Sequence, residues 1–384
     1  MIMKTKIFSS LLVLCVSILG TSCTSDMEYK DVNVTSVQQL YTPKDNVGIE
    51  LQASATASVF FEWASALAED GISPQYEVLF DKVGGDFSKP VYSQTSDDMG
   101  LRSYATISHK TLDKVAQLAG FGSGEKGSLV WTVRSSRGVV QQRATVVRTL
   151  TVTRLLGFTE IPAQLFITGE GSEGGTDVSK ALAFASPASG EFTIFTKLEA
   201  GKKYHFVSGK DTEARVFYTE SGKLKESSTG DGAATVSETG IYRINLDFNI
   251  STVAMAKVVS LGWFFSPSNK VDIALTYQGN GIWKGTGRTE FHQEAWGRDE
   301  RYKFEMVYDR DGTRLVSHWG PTNPSLDSRP GDNEDPAYFN MQEWPTSQWN
   351  NKWKLHGKFD NQMTTFTVYL NGEGVYRHTV ELAQ

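Results

Sequence analysis

The sequence predicts an all-β protein built from several sandwich domains. From residue 47 to the C-terminus, short segments with alternating apolar and polar residues follow one another, and one short segment has apolar residues at helical spacing instead. A second observation is an internal repeat, because the order of segments over 163–257 recurs over 258–384. With 384 residues and 39% hydrophobic content, the chain is long enough for several domains and too apolar for general disorder.

Residues 1–22 have the composition of a cleaved export signal. Lys4 and Lys6 precede an apolar run over 7–19 that is too short to span a membrane comfortably, and small residues follow it. Cys15 leaves with this segment, so Cys23 is predicted to be the one thiol of the mature chain. Neither an internal disulfide nor a cysteine-ligated metal is therefore expected.

Cys23 resembles the lipidated cysteine of bacterial lipoproteins, which directly follows the signal peptide. The acidic residues Asp26, Glu28 and Asp31 come shortly after it and resemble the surface-export tag of Bacteroidetes lipoproteins. This resemblance implies a lipid anchor at Cys23, a polar tether over 23–46 and a location on the outer face of the outer membrane, with the lipid as the only membrane contact. A secreted protein with a chance cysteine near the cleavage site is the alternative.

Residues 47–156 are predicted to form the first sandwich domain. Its predicted strands cover 59–63, 75–80, 128–133 and 145–152. One helix is predicted over 111–119, because apolar residues recur there at helical spacing between a cap at Ser108 or Thr111 and Gly120.

This order of elements resembles the N-terminal immunoglobulin-like domain of SusE-type outer-membrane lipoproteins. The resemblance is carried by a strand that ends at Trp63, the start of the helix over 107–113, the strand around Trp131 and the closing segment 150–155. It implies an immunoglobulin- or fibronectin-III-like sandwich. Trp63 and Trp131 are then expected in its core.

Residues 163–257 and 258–384 are predicted to be two copies of one β-sandwich module. The segments 164–169, 190–193, 203–206 and 240–244 have counterparts at 258–262, 281–284, 301–304 and 351–355. The copies resemble the tandem carbohydrate-binding-module-like sandwiches of SusE and SusF proteins. The resemblance implies a polysaccharide or oligosaccharide ligand and, as a partner, a SusC/SusD-like transporter complex of the outer membrane.

Composition and motifs argue against other classes of function. The formal net charge of −6 argues against a nucleic-acid partner. Glycine motifs at 122–127 and 169–174 fit the spacing of a dinucleotide site, but their surroundings predict loops between β-strands, so no cofactor is expected. The sequence also has no G-x-S-x-G and no H-E-x-x-H motif, so neither a serine hydrolase nor a zinc enzyme is predicted.

Three alternatives stay open at this point. Acidic residues over 290–300 could pair as in a glycosidase, although solvated loop acids are the simpler explanation. Acidic residues over 327–335 could bind calcium, but acids in turn-rich segments are more often solvated, and no metal site is assigned. The chain could also be a structural or adhesive surface protein that binds another protein and has no glycan site.

The candidate glycan-binding residues lie in the last module, around an aromatic-rich insertion. Tyr302 and Trp353 are 51 positions apart, whereas the equivalent Tyr204 and Tyr242 are 38 apart. Sugars have flat C–H faces and many hydroxyls, so their binders need an aromatic platform with amide or charged side chains beside it. The candidates are Trp296, Arg298, Trp319, Tyr338, Trp344, Trp349 and Asn350.

Two other tryptophans of this module are predicted to be structural. Trp283 and Trp353 align with Phe192 and Tyr242 of the preceding copy, at strand positions, and are therefore expected in the core. For the candidate rings the alternative is a satellite core beneath a long loop.

Overall fold

A computed structural model describes residues 31–53, 56–323, 328–344 and 351–383, and the chain divides into two compact units. The described residues of the first unit are 31–50, 56–120 and 127–152, and the other described residues form the second unit. The leader over 1–22, Cys23 and the acidic residues Asp26 and Glu28 lie outside the described residues. Strands dominate both units, so the all-β prediction is confirmed.

The first unit is a sandwich of two sheets. Its strands are β1 (Leu40–Thr42), β2 (Val47–Glu50), β3 (Ser58–Trp63), β4 (Gln75–Lys82), β5 (Tyr92–Thr95), β6 (Tyr104–Ser108), β7 (Lys126–Arg137), β8 (Val140–Arg143) and β9 (Arg148–Thr153). One sheet has the order β1-β3-β6, and the other has the order β2-β9-β7-β4-β5 with β8 paired to β7. The predicted strands match β3, β4 and β7 closely, whereas β9 begins three residues later than predicted.

The predicted helix is present as α1 (His109–Leu118), and Ser108 is its N-cap. The Ser108 side chain accepts a hydrogen bond from the Thr111 backbone N–H at 3.0 Å, which satisfies one of the free N–H groups of the first turn. Gly120, with a φ of +99°, follows the helix in the left-handed region that favours glycine.

Both tryptophans predicted for the first core are there, since Trp63 and Trp131 are essentially inaccessible to solvent. The Trp131 ring packs edge-on against Phe61, with 4.8 Å between ring centroids. The start of this domain differs from the prediction. Val37 and Leu40 are buried and Leu40 pairs with Trp63, so this part of the predicted tether over 23–46 is already folded into the first unit.

The second unit covers the residues for which two modules are predicted. Its strands are β10 (Phe166–Thr168), β11 (Leu182–Ala183), β12 (Ala185–Ala188), β13 (Glu191–Leu198), β14 (His205–Val207), β15 (Val216–Glu220), β16 (Lys223–Ser227), β17 (Gly240–Asp247), β18 (Thr252–Phe265), β19 (Lys270–Gly279), β20 (Ile282–Thr289), β21 (His292–Glu294), β22 (Gly297–Asp299), β23 (Arg301–Arg310), β24 (Thr313–Pro321), β25 (Met341–Trp344), β26 (Trp353–Lys354), β27 (Gln362–Tyr369) and β28 (Arg377–Leu382). Three 3-10 turns among the described residues cover Val178–Lys180, Pro336–Phe339 and Gly357–Phe359.

The long strand β18 is shared by the two modules. Its first half pairs with β17, and its second half, from Lys257 on, pairs with β23. The predicted boundary between residues 257 and 258 therefore falls at the change of partner, inside one continuous strand. Phe195, from β13, packs in the hydrophobic core of the last module, where Trp283 and Trp353 are also buried as predicted.

The glycine-rich segment 169–174 is the loop that its surroundings predict, and its acidic residue Glu173 links the modules. The Glu173 carboxylate accepts hydrogen bonds from the Lys197 N–H, the Tyr277 hydroxyl and, at 2.8 Å, the Asn280 N–H. Burial and the nearby Glu173 carboxylate raise the pKa of Tyr277. This acid binds backbone and side-chain donors of the protein itself, which accounts for its position in the loop.

Candidate functional site

Two of the predicted ligand-binding rings, Trp319 and Tyr338, belong to the hydrophobic core. Trp319 is 2% exposed, and its ring centroid lies 6.1 Å from that of Phe195. Tyr338 is 6% exposed, and its hydroxyl lies 3.1 Å from the Lys354 carbonyl oxygen. A sugar cannot stack on a ring that protein atoms enclose on both faces, so these two residues are removed from the predicted site.

Arg298 has a structural role in the hairpin that β21 and β22 form. Its guanidinium donates hydrogen bonds to Asp360 Oδ1 at 2.9 Å and to the Phe291 carbonyl oxygen at 2.7 Å. These bonds fix the hairpin to the body of the module. Trp349 and Asn350 lie outside the described residues, and their ligand contacts stay predictions.

Trp344, on β25, is partly exposed, and its position is fixed by the neighbouring strand. Its indole N–H donates a hydrogen bond to the Pro321 carbonyl oxygen at 3.1 Å. The ring lies against Gly320, where an added Cβ would be 3.1 Å from Trp344 Cδ1 and 2.2 Å from the Asn351 carbonyl oxygen. Glycine at 320 thus provides the space that the Trp344 ring and the backbone of 351 occupy.

Trp344 belongs to a polar face of the sheet that points away from the core. On β23, Tyr302 and Phe304 are core residues, and the residues that alternate with them face the other side. Strand pairing places Phe264, His318 and Trp344 on this same side of β18, β24 and β25. We call this side of the sheet the outer face; it comprises Phe264, Arg301, Lys303, Glu305, His318 and Trp344, of which Phe264 and Lys303 are buried.

Close contacts join the residues at the centre of the outer face. Lys303 Nζ lies 4.4 Å from the ring centroid of Phe264, as in a cation–π contact, and His318 Nδ1 lies 4.0 Å from Glu305 Oε2. Burial, reinforced by repulsion from Lys352, lowers the pKa of Lys303 to about 8. Burial likewise lowers the pKa of His318 to about 4, so its imidazole is neutral at pH 7.

Trp296 extends the outer face beyond the end of β23. It lies at the tip of the β21–β22 hairpin and is 66% exposed. The Arg301 guanidinium lies 5.6 Å from its ring centroid and is held by Asp299, whose Oδ1 accepts from Arg301 Nε at 2.8 Å. The exposed Trp296 indole therefore lies at the Arg301 end of the charged row on β23, and Trp344 lies nearer the Glu305 end.

The carboxylates that suggested a glycosidase are used differently in the structure. Asp299 pairs with Arg301, and Glu300 pairs with Arg329 at 2.8 Å. Burial alone would raise the pKa of Asp299, but hydrogen bonds from Arg301 hold it below its ordinary value. A general acid of a glycosidase needs a raised pKa, so Asp299 does not have the property that this role requires.

The acidic residues considered for calcium do not converge in the described part of the chain. Asp332 Oδ1 instead lies 3.4 Å from both His356 Nε2 and Lys358 Nζ. Among the described residues, no group of three or more histidine, cysteine or carboxylate side chains is placed to hold a metal ion.

Five outer-face residues on three strands were not predicted from the sequence, although a signal for the three on β23 was available. Over 301–306 the charged residues Arg301, Lys303 and Glu305 alternate strictly with apolar ones, the pattern of a strand with one polar face. Phe264 had no such signal, because it lies in an apolar run in which every residue from 261 to 265 except a glycine is hydrophobic.

Comparison with known proteins finds a family match for the N-terminal part of the chain. Residues 25–134 match the model of the family described as SusE outer membrane protein. In this part the chain is SusE-like. The match runs from before β1 into β7, and it confirms the resemblance predicted from the strands and helix of this region.

Among solved structures, the SusE-like chain is similar to SusF from Bacteroides thetaiotaomicron, known from a crystal structure. The two chains are 13% identical, with 91% of this chain and 77% of that chain covered and a TM-score of 0.25. A search of curated proteins finds no match. The recognition as SusE-like therefore rests on residues 25–134.

The matched family is described by its location in the outer membrane. In the described part of the SusE-like chain, no helix has the length and apolar character needed to cross a membrane.

Proposed function

We propose that this SusE-like chain captures a polysaccharide or oligosaccharide at the cell surface without transforming it, and that the outer face of its last module is the binding site. The observation that carries the proposal is the placement of Trp296 and Trp344 on the same surface as a row of charged side chains. Aromatic rings can stack on the C–H faces of sugars while charged and neutral polar groups bind their hydroxyls.

The dimensions of the outer face suit a chain segment better than a single sugar. Arg301 and Glu305 are four residues apart on β23, which corresponds to about 13 Å along a strand. Arg301 and Glu305, at the two ends of this length, have partly exposed side chains, whereas Lys303 between them is buried. A ligand that contacts both exposed ends must be longer than one sugar.

The absence of catalysis is part of the proposal. Lys303 of the outer face contacts the Phe264 ring, and Glu305 Oε2 lies 4.0 Å from the neutral His318 imidazole. Asp299 and its partner Arg301 form an ion pair whose carboxyl pKa is lowered. Asp299 therefore lacks the raised pKa that the general acid of a glycosidase requires.

Two observations support the proposed cellular setting. The matched family is described as an outer membrane protein family, and Cys23 resembles a lipoprotein cysteine. We therefore propose a lipid anchor at Cys23, exposure on the cell surface and operation beside a SusC/SusD-like transporter complex that imports the glycan.

Affinity electrophoresis of the full chain through gels that contain single polysaccharides tests the proposed function. We expect at least one α-glucan, β-glucan, mannan, xylan or pectin to retard the protein, and no reducing sugar to be released from it. If the chain binds a transporter protein and no polysaccharide retards its migration, the structural or adhesive alternative is favoured. Release of reducing ends would favour a glycosidase.

Replacing Cys23 by alanine should abolish surface display. The thiol is the proposed acylation point, so the variant should stay unprocessed or be soluble in the periplasm. Surface labelling of intact cells, compared with Ser22→Ala as a neighbouring control, measures the effect. Equal labelling of Cys23→Ala and the unaltered chain would show that the anchor does not depend on Cys23.

A further inference from the structure

The second unit has a cleft where its two modules meet, away from the outer face. Its volume is about 1060 Å³, at the upper end of the range for small-molecule sites. One wall includes Phe166, Ala185 and Thr193 from the first of the two modules. The opposite wall includes Glu343 and Tyr376 from the last module.

Contacts on both sides hold the cleft open in a fixed geometry. Arg243, on β17, makes a two-pronged ion pair with Glu343 on β25, with nitrogen–oxygen distances of 2.9 and 2.8 Å. Its guanidinium also lies 5.6 Å from the Phe195 ring centroid and 5.9 Å from that of Trp319. Because β18 is continuous through both modules, the walls are parts of one hydrogen-bonded framework. A cleft that is already formed loses less entropy on binding a ligand.

The charges that line the cleft select against anionic ligands. Arg243 is neutralised by its ion pair with Glu343, and Glu373 adds a second carboxylate. The Glu373 carboxylate accepts a hydrogen bond from the Asn280 side-chain amide at 2.8 Å, which leaves its charge in place. A uronate or sulfate would therefore meet net negative charge, whereas an uncharged ligand would not.

The polar groups of the cleft select against a purely apolar ligand. The lining includes the amide side chains of Gln164 and Gln342 and the Glu373 carboxylate. A purely apolar ligand would displace water from these groups without replacing its hydrogen bonds. A ligand with hydroxyl groups can hydrogen-bond to them, while its C–H surfaces cover the ring and aliphatic parts of the walls.

We infer that this cleft is a second glycan site, which takes a short uncharged oligosaccharide. The inference concerns different residues from those of the outer face and does not depend on binding there. The cleft would take a short end or fragment of a neutral glycan, whereas the outer face would take a longer chain segment.

The test uses the full chain in which Trp296→Ala and Trp344→Ala together disable the outer face. Isothermal titration calorimetry of this double variant with maltotriose, cellotriose and xylotriose measures binding by the cleft. We expect saturable binding of at least one of these neutral probes, with glucuronate-containing oligosaccharides bound at least tenfold more weakly. Absence of saturable binding of all three neutral probes would overturn the inference.

A steric block then assigns the binding to the cleft. Val375 lines the cleft and is 63% exposed, and Val83 in the first unit is equally exposed. Val375→Trp should weaken binding at least tenfold with an unchanged melting temperature, whereas Val83→Trp should leave it unchanged. Equal binding by both variants would overturn the inference. If the unaltered chain binds the probes no better than the Trp296/Trp344 double variant, the outer face is not a binding site for them. The Val375→Trp result still shows in that case whether the cleft binds them.

Discussion

Replacing Trp353 by alanine should destabilise the second unit by about 3–5 kcal/mol, the cost of removing a buried tryptophan from a close-packed core. The Trp353 ring is inaccessible to solvent and stacks on Tyr302 with 5.6 Å between centroids. Its N–H donates to the Tyr338 carbonyl oxygen at 2.8 Å, so the substitution also leaves a buried acceptor without its donor. Urea unfolding followed by circular dichroism measures the loss.

Trp296→Ala is the matched control for this prediction, because it makes the same substitution in the same unit at an exposed position. With 66% of Trp296 exposed, its removal leaves no cavity, and the free energy of unfolding should change by less than about 0.5 kcal/mol. If Trp353→Ala and Trp296→Ala shift the urea midpoint equally, Trp353 does not have the core role that its contacts indicate.

Removing both outer-face tryptophans should weaken glycan binding about a hundredfold. A ring that stacks on a sugar is worth on the order of 1–3 kcal/mol, and each 1.4 kcal/mol corresponds to a tenfold change in affinity. Trp296→Ala and Trp344→Ala should each cost about tenfold, and their effects should add because the rings lie at different ends of the row. Isothermal titration calorimetry with an oligosaccharide of the glycan that retards the protein measures the affinities of the two single variants and of the double variant.

Tyr41→Ala serves as the control for the binding measurements, since it removes a similarly exposed ring, 48% accessible, from the first unit. Its affinity for the glycan should equal that of the unaltered chain. A loss of binding in Tyr41→Ala as large as in Trp344→Ala would mean that the outer face is not the place where the glycan binds.

Local patterns were sufficient to predict β3, β4, β7, β9 and α1 of the first unit, but not its five shorter strands. The strand around Trp131 and the helix capped by Ser108 follow from alternation and from capping, which depend on residues close in the sequence. Burial of Trp63 could be predicted for the same reason, since a strand tryptophan in a sandwich usually faces the core.

The errors concern contacts between residues that are distant in the sequence. Trp319 was assigned to a ligand because the preceding module has no counterpart for it. The insertion, however, adds strands to the sheet, and Phe195 from the other module packs against the inward-facing Trp319 ring. The same sharing across modules explains why β18 continues through the predicted boundary. Nothing in the local pattern of either segment encodes which partner it meets.

The most direct test of the glycan-binding outer face is affinity electrophoresis of Trp344→Ala beside the unaltered chain, in gels with the polysaccharide that the panel identifies. The melting temperatures of both proteins are measured on the same samples, so that only folded protein is compared. We predict at least a tenfold loss of affinity in Trp344→Ala, because its ring is partly exposed and is fixed to the sheet by the Pro321 carbonyl. Undiminished retardation of the folded variant would contradict the account.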